Sequence, residues 1–190
     1  MKHAEGVGAW EAFERSLDDG TYTLRDVLQQ QAGKVRGSFE EIAAYLRRTI
    51  QIDPSFATFV AACRERSFPV TILSSGIERI IADRLAEIGV PDVAIVANGL
   101  VIEPAGWRLV FRDDVPNGTD KAGVVRRARE SGARTLFIGD GRSDYDAALA
   151  ADVRFAKRGR NLERYLTERG VTFEPFSTFT EATEKMLALI

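Results

Sequence analysis

The sequence predicts an α/β protein: a three-layer α/β/α sandwich around a parallel sheet, preceded by a helical segment. Three observations carry this. The first third holds only helical periodicity, and from residue 68 onward short apolar runs alternate with helical patterns. The runs are also continuously apolar rather than alternating, as expected of strands buried on both faces. The connections between them are long enough for parallel crossovers.

Trp10, Phe13 and Leu17 are spaced as one helical face, which Gly20 stops. Thr23 is a plausible N-cap for LRDVLQQQ, with Asp26 three residues on as in a capping box. Ser38 repeats the arrangement with Glu41, ahead of an apolar face of Phe39, Ile42, Ala43 and Leu46. Between the two helices, Gly33, Lys34, Arg36 and Gly37 form either an entrance to a site or a solvated turn. Asp53-Pro54 opens a further helix, with aspartate as cap and proline at the first helical position.

Pro69–Ser74 is the first predicted strand, and Ile77, Ile80, Ile81, Leu85 and Ile88 then recur at helical spacing until Gly89. Val93–Val96 is the next strand. Leu100–Ile102 and Trp107–Phe111 read as a hairpin, with Trp107 assigned to hairpin packing. Helices are expected over 120–131, 144–151, 161–169 and 179–189, and strands over Thr135–Ile138, Val153–Ala156 and Val171–Phe173. Residues 1–52 are expected to form a helical cap region and 53–190 the α/β core.

The bulk composition narrows the function classes. A chain of 190 residues is one domain, or a core with a small insert. A formal net charge of -2 argues against a nucleic-acid or acidic-membrane surface. Cys63 has no partner for an internal disulfide, lies on an apolar helical stretch, and is expected in the core of a protein from a reducing compartment. The start lacks the apolar stretch of a signal peptide, and no run approaches the length of a membrane span. A cytoplasmic location is therefore expected. His3 is the only histidine and is given no catalytic role.

Open parallel sheets bind ligands at the carboxyl ends of their strands. Three such ends carry suggestive residues. Ser74-Ser75-Gly76 follows an apolar run, where a hydroxyl and amide groups can hold phosphate oxygens; the alternative is an N-cap serine. Gly118-Thr119-Asp120-Lys121 places a lysine at a helix start, against the dipole, where its charge is better spent on an anion; a surface lysine is the alternative. Asp140 and Asp144 flank a glycine turn after Phe137-Ile138, so both carboxylates can face one point and offer Mg²⁺ hard oxygen ligands. Here the alternative is a solvated turn with Ser143 or Asp144 as helix cap. Gly139 and Gly141 permit the tight turn. Asn98 is a further candidate at a neighbouring strand end.

Taken in order, strand–Ser74, Gly-x-Asp-Lys121 and Gly-Asp140-Gly-x-Ser143-Asp144 resemble the later motifs of the haloacid dehalogenase-like phosphatases. Within that superfamily the chain looks like the branch of phosphoserine phosphatase and the methionine-salvage ketopentenyl-phosphate phosphatase. The resemblance covers roughly residues 10–180, with FIGDGRSDYDAALAADVRFAK its most specific stretch. It implies a Rossmann-like core with a helical cap, and Mg²⁺-dependent hydrolysis of a small phosphorylated metabolite through a phosphoaspartyl intermediate. On that pattern Ser74, Ser75, Gly76 and Lys121 bind phosphate, with Ser74 and Lys121 in catalytic roles. Asp140 ligates the metal directly, and Asp144 ligates it or orients its water.

The same resemblance implies an apolar strand ending in Asp-x-Asp-Gly-Thr before the cap, whose first aspartate attacks phosphorus. Residues 1–9 hold no strand signal and no aspartate. The nearest look-alike, Leu17-Asp18-Asp19-Gly20-Thr21, has leucine where the nucleophile should stand. The strand would lie mid-sheet, between those ending at Ser74 and near Asp140. Without it, two strands are expected to lose a ladder partner unless the sheet closes up. Three accounts follow: a start assigned too late, a truncated inactive remnant, or a phosphate- or metal-binding relative without turnover. Neither substrate identity nor oligomeric state is legible.

Overall fold

The computed structural model describes residues 15–17 and 19–189. His3, Trp10, Phe13 and Asp18 therefore lie outside the described residues.

After helical residues 15–17 come two helices, α1 (Leu24–Ala32) and α2 (Phe39–Thr49), each opened by the expected capping box. The Thr23 hydroxyl accepts from the Asp26 amide while the Asp26 carboxylate accepts from the Thr23 amide; Ser38 and Glu41 do the same. Each box satisfies amides that a helix start leaves without partners. The third helix, α3 (Phe56–Glu65), starts later than the Asp53-Pro54 signal suggests. Asp53 is drawn off to a tertiary task. Its carboxylate accepts from the Ser55 amide and hydroxyl and from the Phe179 amide, tying α3 to the last helix.

The core then alternates: β1 (Thr71–Ile77), α4 (Glu78–Glu87), β2 (Ala94–Glu103), β3 (Gly106–Val110) and α5 (Lys121–Glu130). There follow β4 (Leu136–Gly139), a 3₁₀ turn (Arg142–Asp144), α6 (Tyr145–Ala150), β5 (Val153–Lys157), α7 (Asn161–Glu168), β6 (Glu174–Phe176) and α8 (Phe179–Ala188). Two predicted strands, Val93–Val96 and Leu100–Ile102, are one strand, β2, which changes partner. Ala94–Asn98 pairs parallel with β1, and Gly99–Glu103 pairs antiparallel with β3. The last strand lies at 174–176 rather than 171–173, because pairing with Phe155–Lys157 buries Phe176 at 3 % exposure.

The strands form two three-stranded sheets, β1-β2-β3 and β4-β5-β6, rather than one. They share both helical layers. One core joins Ile72 and Ile95 with Leu136, Ile138 and Phe155 beneath α3, α4 and α8. The other joins Leu73 with Phe137 and Ala156 beneath α5, α6 and α7. The two halves therefore lie in one layer, yet no hydrogen bond joins β1 to β4 among the described residues. The sheet has not closed up. Burial reports the same seam: Phe155 and Ala156 in β5, flanked on both sides, are fully buried, whereas Ile72, Leu73 and Ile138 are only half-buried.

A third cluster packs α1 and α2 on the β2–β3 hairpin. Trp107 is buried against Phe39, with ring centroids 6.4 Å apart, and its indole N–H donates to the Gly37 carbonyl at 3.1 Å. The Gly33–Gly37 turn thus touches the hairpin on one side while Lys34, Arg36 and Gly37 stay exposed. Gly106 allows the approach: it has φ +132°, and a Cβ there would lie 2.3 Å from the Gly33 carbonyl oxygen. Cys63 lies in the first core, its sulfur 3.7 Å from that of Met186, and burial pushes its thiol pKa up.

Candidate active site

The site forms where the carboxyl ends of β1 and β4 meet the start of α5. β1 stays extended through Ser74, Ser75 and Gly76, and α4 begins only at Glu78, with Ile77 at its N-cap position. Neither serine caps that helix. The Ser74 hydroxyl instead accepts from the Gly76 amide at 3.0 Å, which curls the strand end. Ser75 is buried, and its hydroxyl has no hydrogen-bond partner among the described residues.

Lys121 is the first residue of α5 and is only 6 % exposed, so it is no surface lysine. Asp120 caps the helix by accepting from the Gly123 amide at 2.7 Å. This leaves the lysine side chain directed across to the turn after β4. Its ammonium donates to Asp144 Oδ1 at 2.7 Å and to the Ser143 hydroxyl at 2.8 Å. Those contacts use two of the three donors of an ammonium group.

Asp144 is likewise 6 % exposed, and its second oxygen accepts from the Asp140 and Gly141 amides, both at 2.9 Å. The carboxylate therefore braces the turn from inside instead of capping α6. Gly139 makes room for it: a Cβ there would lie 2.7 Å from Asp144 Oδ2 and 2.8 Å from the Phe137 ring. Gly141 is under no such pressure, its nearest contact being 3.8 Å. Asp140 is exposed at the mouth, while its carbonyl accepts from the Leu162 amide.

Thr119 joins the end of β1 to the start of α5. Its hydroxyl donates to the Ser74 carbonyl at 2.9 Å, and it is 2 % exposed. Sequence reasoning passed over it; its place between Gly118 and Asp120, directly before a lysine, was the available signal. Ser74, Lys121, Asp144 and Asp140 are thus linked by a continuous path of contacts, with Asn98 buried behind them.

A sequence model of haloacid dehalogenase-like hydrolases matches residues 6–149. The chain belongs to the haloacid dehalogenase-like hydrolase family. Among curated relatives it is 32 % identical over 172 residues to Pdp3-interacting factor 1 of Schizosaccharomyces pombe, covering 86 % of this chain and 75 % of that protein. It is 29 % identical to the polyol phosphate phosphatase PYP1 of Saccharomyces cerevisiae (93 % of this chain, 79 % of the relative). It is 31 % identical to the 2-hydroxy-3-keto-5-methylthiopentenyl-1-phosphate phosphatase of Microcystis aeruginosa (88 % and 79 %). The fold matches the crystal structure of phosphoserine phosphatase from T. onnurineus with a TM-score of 0.67 at 22 % identity, over 95 % of this chain and 82 % of that one.

In this haloacid dehalogenase-like chain, hard oxygen donors are present but few. No group of three His, Cys, Asp or Glu residues comes together among the described residues. Mg²⁺ suits such a place, since it binds through one or two carboxylates and keeps several waters. The exposed Asp140 carboxylate fits a direct ligand, whereas both Asp144 oxygens are engaged by Lys121 and the turn amides. Among the described residues no helix is long and apolar enough to cross a membrane.

Proposed function

We propose that the protein is a Mg²⁺-dependent phosphomonoester hydrolase acting on a small phosphorylated metabolite. The observation that carries this reading is the buried Lys121 ammonium, paired with the turn after β4 and carried by a segment whose Thr119 is bonded to the serine end of β1. A cation built into the interior needs anionic company. Asp144 supplies one charge, and a phosphoryl group at the open end is the fitting second. The named activities of PYP1 and of the Microcystis enzyme, both phosphatases of small phosphorylated molecules, support it.

In this assignment the Ser74 hydroxyl and the Ser75 and Gly76 amides bind phosphoryl oxygens, the Gly76 amide leaving the Ser74 hydroxyl to do so, and Lys121 supplies the point charge. Asp140 would hold Mg²⁺, which when bound offsets the repulsion between an anionic nucleophile and phosphate. Asp144 holds the Asp140–Gly141 turn and the lysine in register, and Ser143 steadies the ammonium. Helices α1 and α2, within the proposed cap region 1–52, lie over the β2–β3 hairpin and would restrict which metabolite enters. The attacking carboxylate belongs, on the family pattern, to a strand between β1 and β4, the two edges that lack hydrogen bonds to each other.

The test is turnover of a panel of phosphomonoesters with Mg²⁺ by the chain supplied at its N-terminus with the Asp-x-Asp-Gly-Thr strand of the family pattern, alongside phosphate binding. Turnover that Asp140→Asn abolishes is the expected result. Phosphate affinity without turnover by any substrate would overturn the hydrolase reading in favour of a binding protein.

A further inference from the structure

Asn98 is the side chain to which the separate loops of the site are tied. It stands in β2 where that strand leaves its parallel partner and takes up β3: Asn98 is in register with Ile77, and Gly99 with Val110. It is fully buried. Its Nδ2 donates to the Ser75 carbonyl at 2.8 Å, and its Oδ1 accepts from the Arg112 amide at 3.0 Å. These partners fix the orientation of the amide, because a carbonyl requires a donor and an amide N–H an acceptor. The Thr119 hydroxyl lies 3.4 Å from the same Oδ1 while donating its proton to the Ser74 carbonyl.

Two parts of the chain distant in sequence therefore meet at one amide: the end of β1, and the β3–α5 loop at its Arg112 and Thr119. The loop after β3 is braced as well, since the Asp113 carboxylate accepts from the Asp120 amide next to Lys121. Simple packing would favour an apolar residue in so buried a position, because an amide there is costly unless every group is paired. Here the pairing joins the Ser74–Ser75 strand end to the segment that carries Lys121.

We propose that Asn98 is a positioning residue. It holds the Ser74-Ser75-Gly76 strand end and the Thr119–Lys121 segment at the separation from which hydroxyl and ammonium converge on one phosphoryl group. The proposal rests on the phosphate-binding reading above. Thr119 completes the tie from the opposite side.

The test compares Asn98→Leu and Thr119→Val with Met186→Ala, a core truncation in α8 remote from these contacts. Inorganic phosphate affinity is measured by calorimetry with Mg²⁺, and the backbone amide resonances of Ser75, Gly76, Arg112, Thr119 and Lys121 are followed by NMR. Each tie variant is expected to move the amides of both strand end and lysine loop together, and to weaken phosphate by about tenfold. Met186→Ala should lower the urea midpoint yet leave those amides and the phosphate affinity in place. Amide changes confined to the mutated segment, or phosphate affinities equal to that of Met186→Ala, would overturn the proposal. Thr119→Val, which swaps near-isosteric side chains, keeps the test decisive if Asn98→Leu does not fold. Absence of phosphate binding by the unmutated chain would sink the functional reading, while the amide shifts alone would still decide the role of Asn98.

Discussion

Replacing both Lys121 and Asp144 should destabilise the protein by clearly less than the two single replacements added together. The two side chains are 7 % and 8 % exposed and meet at 2.7 Å. Lys121→Met leaves a buried carboxylate with only its two turn amides; Asp144→Asn keeps an acceptor for those amides but leaves the ammonium with Ser143 alone. Removing one member of a buried pair costs about 3–5 kcal/mol, because the survivor is charged and desolvated. Total stability is on the order of 5–15 kcal/mol, so each single variant should sit near the edge of folding. The double variant Lys121→Met/Asp144→Asn removes both charges and should fall short of the summed losses by about 2–3 kcal/mol. Urea unfolding of all four proteins at neutral pH closes the cycle. Single losses that add to within about 0.5 kcal/mol would show that the two charges do not depend on each other, and would refute the reasoning.

Acid should weaken the tie between α3 and α8. Burial raises the Asp53 carboxyl pKa, but hydrogen bonds from the Ser55 hydroxyl and from the Phe179 and Ser55 amides outweigh it and leave the group below its ordinary value. A depressed folded pKa means stability present above the unfolded value and lost as pH falls through the folded one. Asp53→Asn should therefore flatten the acid limb of a urea-midpoint profile, and an unchanged slope would count against the assignment. Gly139→Ala forces a methyl against Asp144 Oδ2 and the Phe137 ring, and should cost about 1–3 kcal/mol by thermal unfolding. Trp107→Phe deletes the bond to the Gly37 carbonyl and should cost about 1 kcal/mol, with faster proteolysis between α1 and α2.

Much of this was legible along the chain because the rules involved are local. The boxes at Thr23–Asp26 and Ser38–Glu41 span three residues, and the alternation of apolar runs with helical periods is visible in any short window. The residues proposed for phosphate and Mg²⁺, Ser74, Lys121 and Asp140, likewise stand in short consecutive stretches, whereas the pairing of Asp144 with Lys121 does not show there. Asp53 shows where local reading ends. As a helix-cap signal it was plausible, but its carboxylate was claimed by an amide 126 positions away.

The sequence by itself determined the α/β alternation, where helices α1 and α2 start, and which side chains stand in the short stretches around Ser74, Lys121 and Asp140, but not the bounds of the last strand or the unity of β2. Only the tertiary structure decided that β2 changes partner at Asn98, and that β1 and β4 stand apart without a ladder between them. It also turned Asp144 inward to Lys121 while leaving Asp140 at the mouth. The physical reason is one of range. Caps and periodicity are settled within a turn or two of backbone, whereas burial, ion pairing and strand partnership depend on which distant side chains compete for the same buried donor or acceptor.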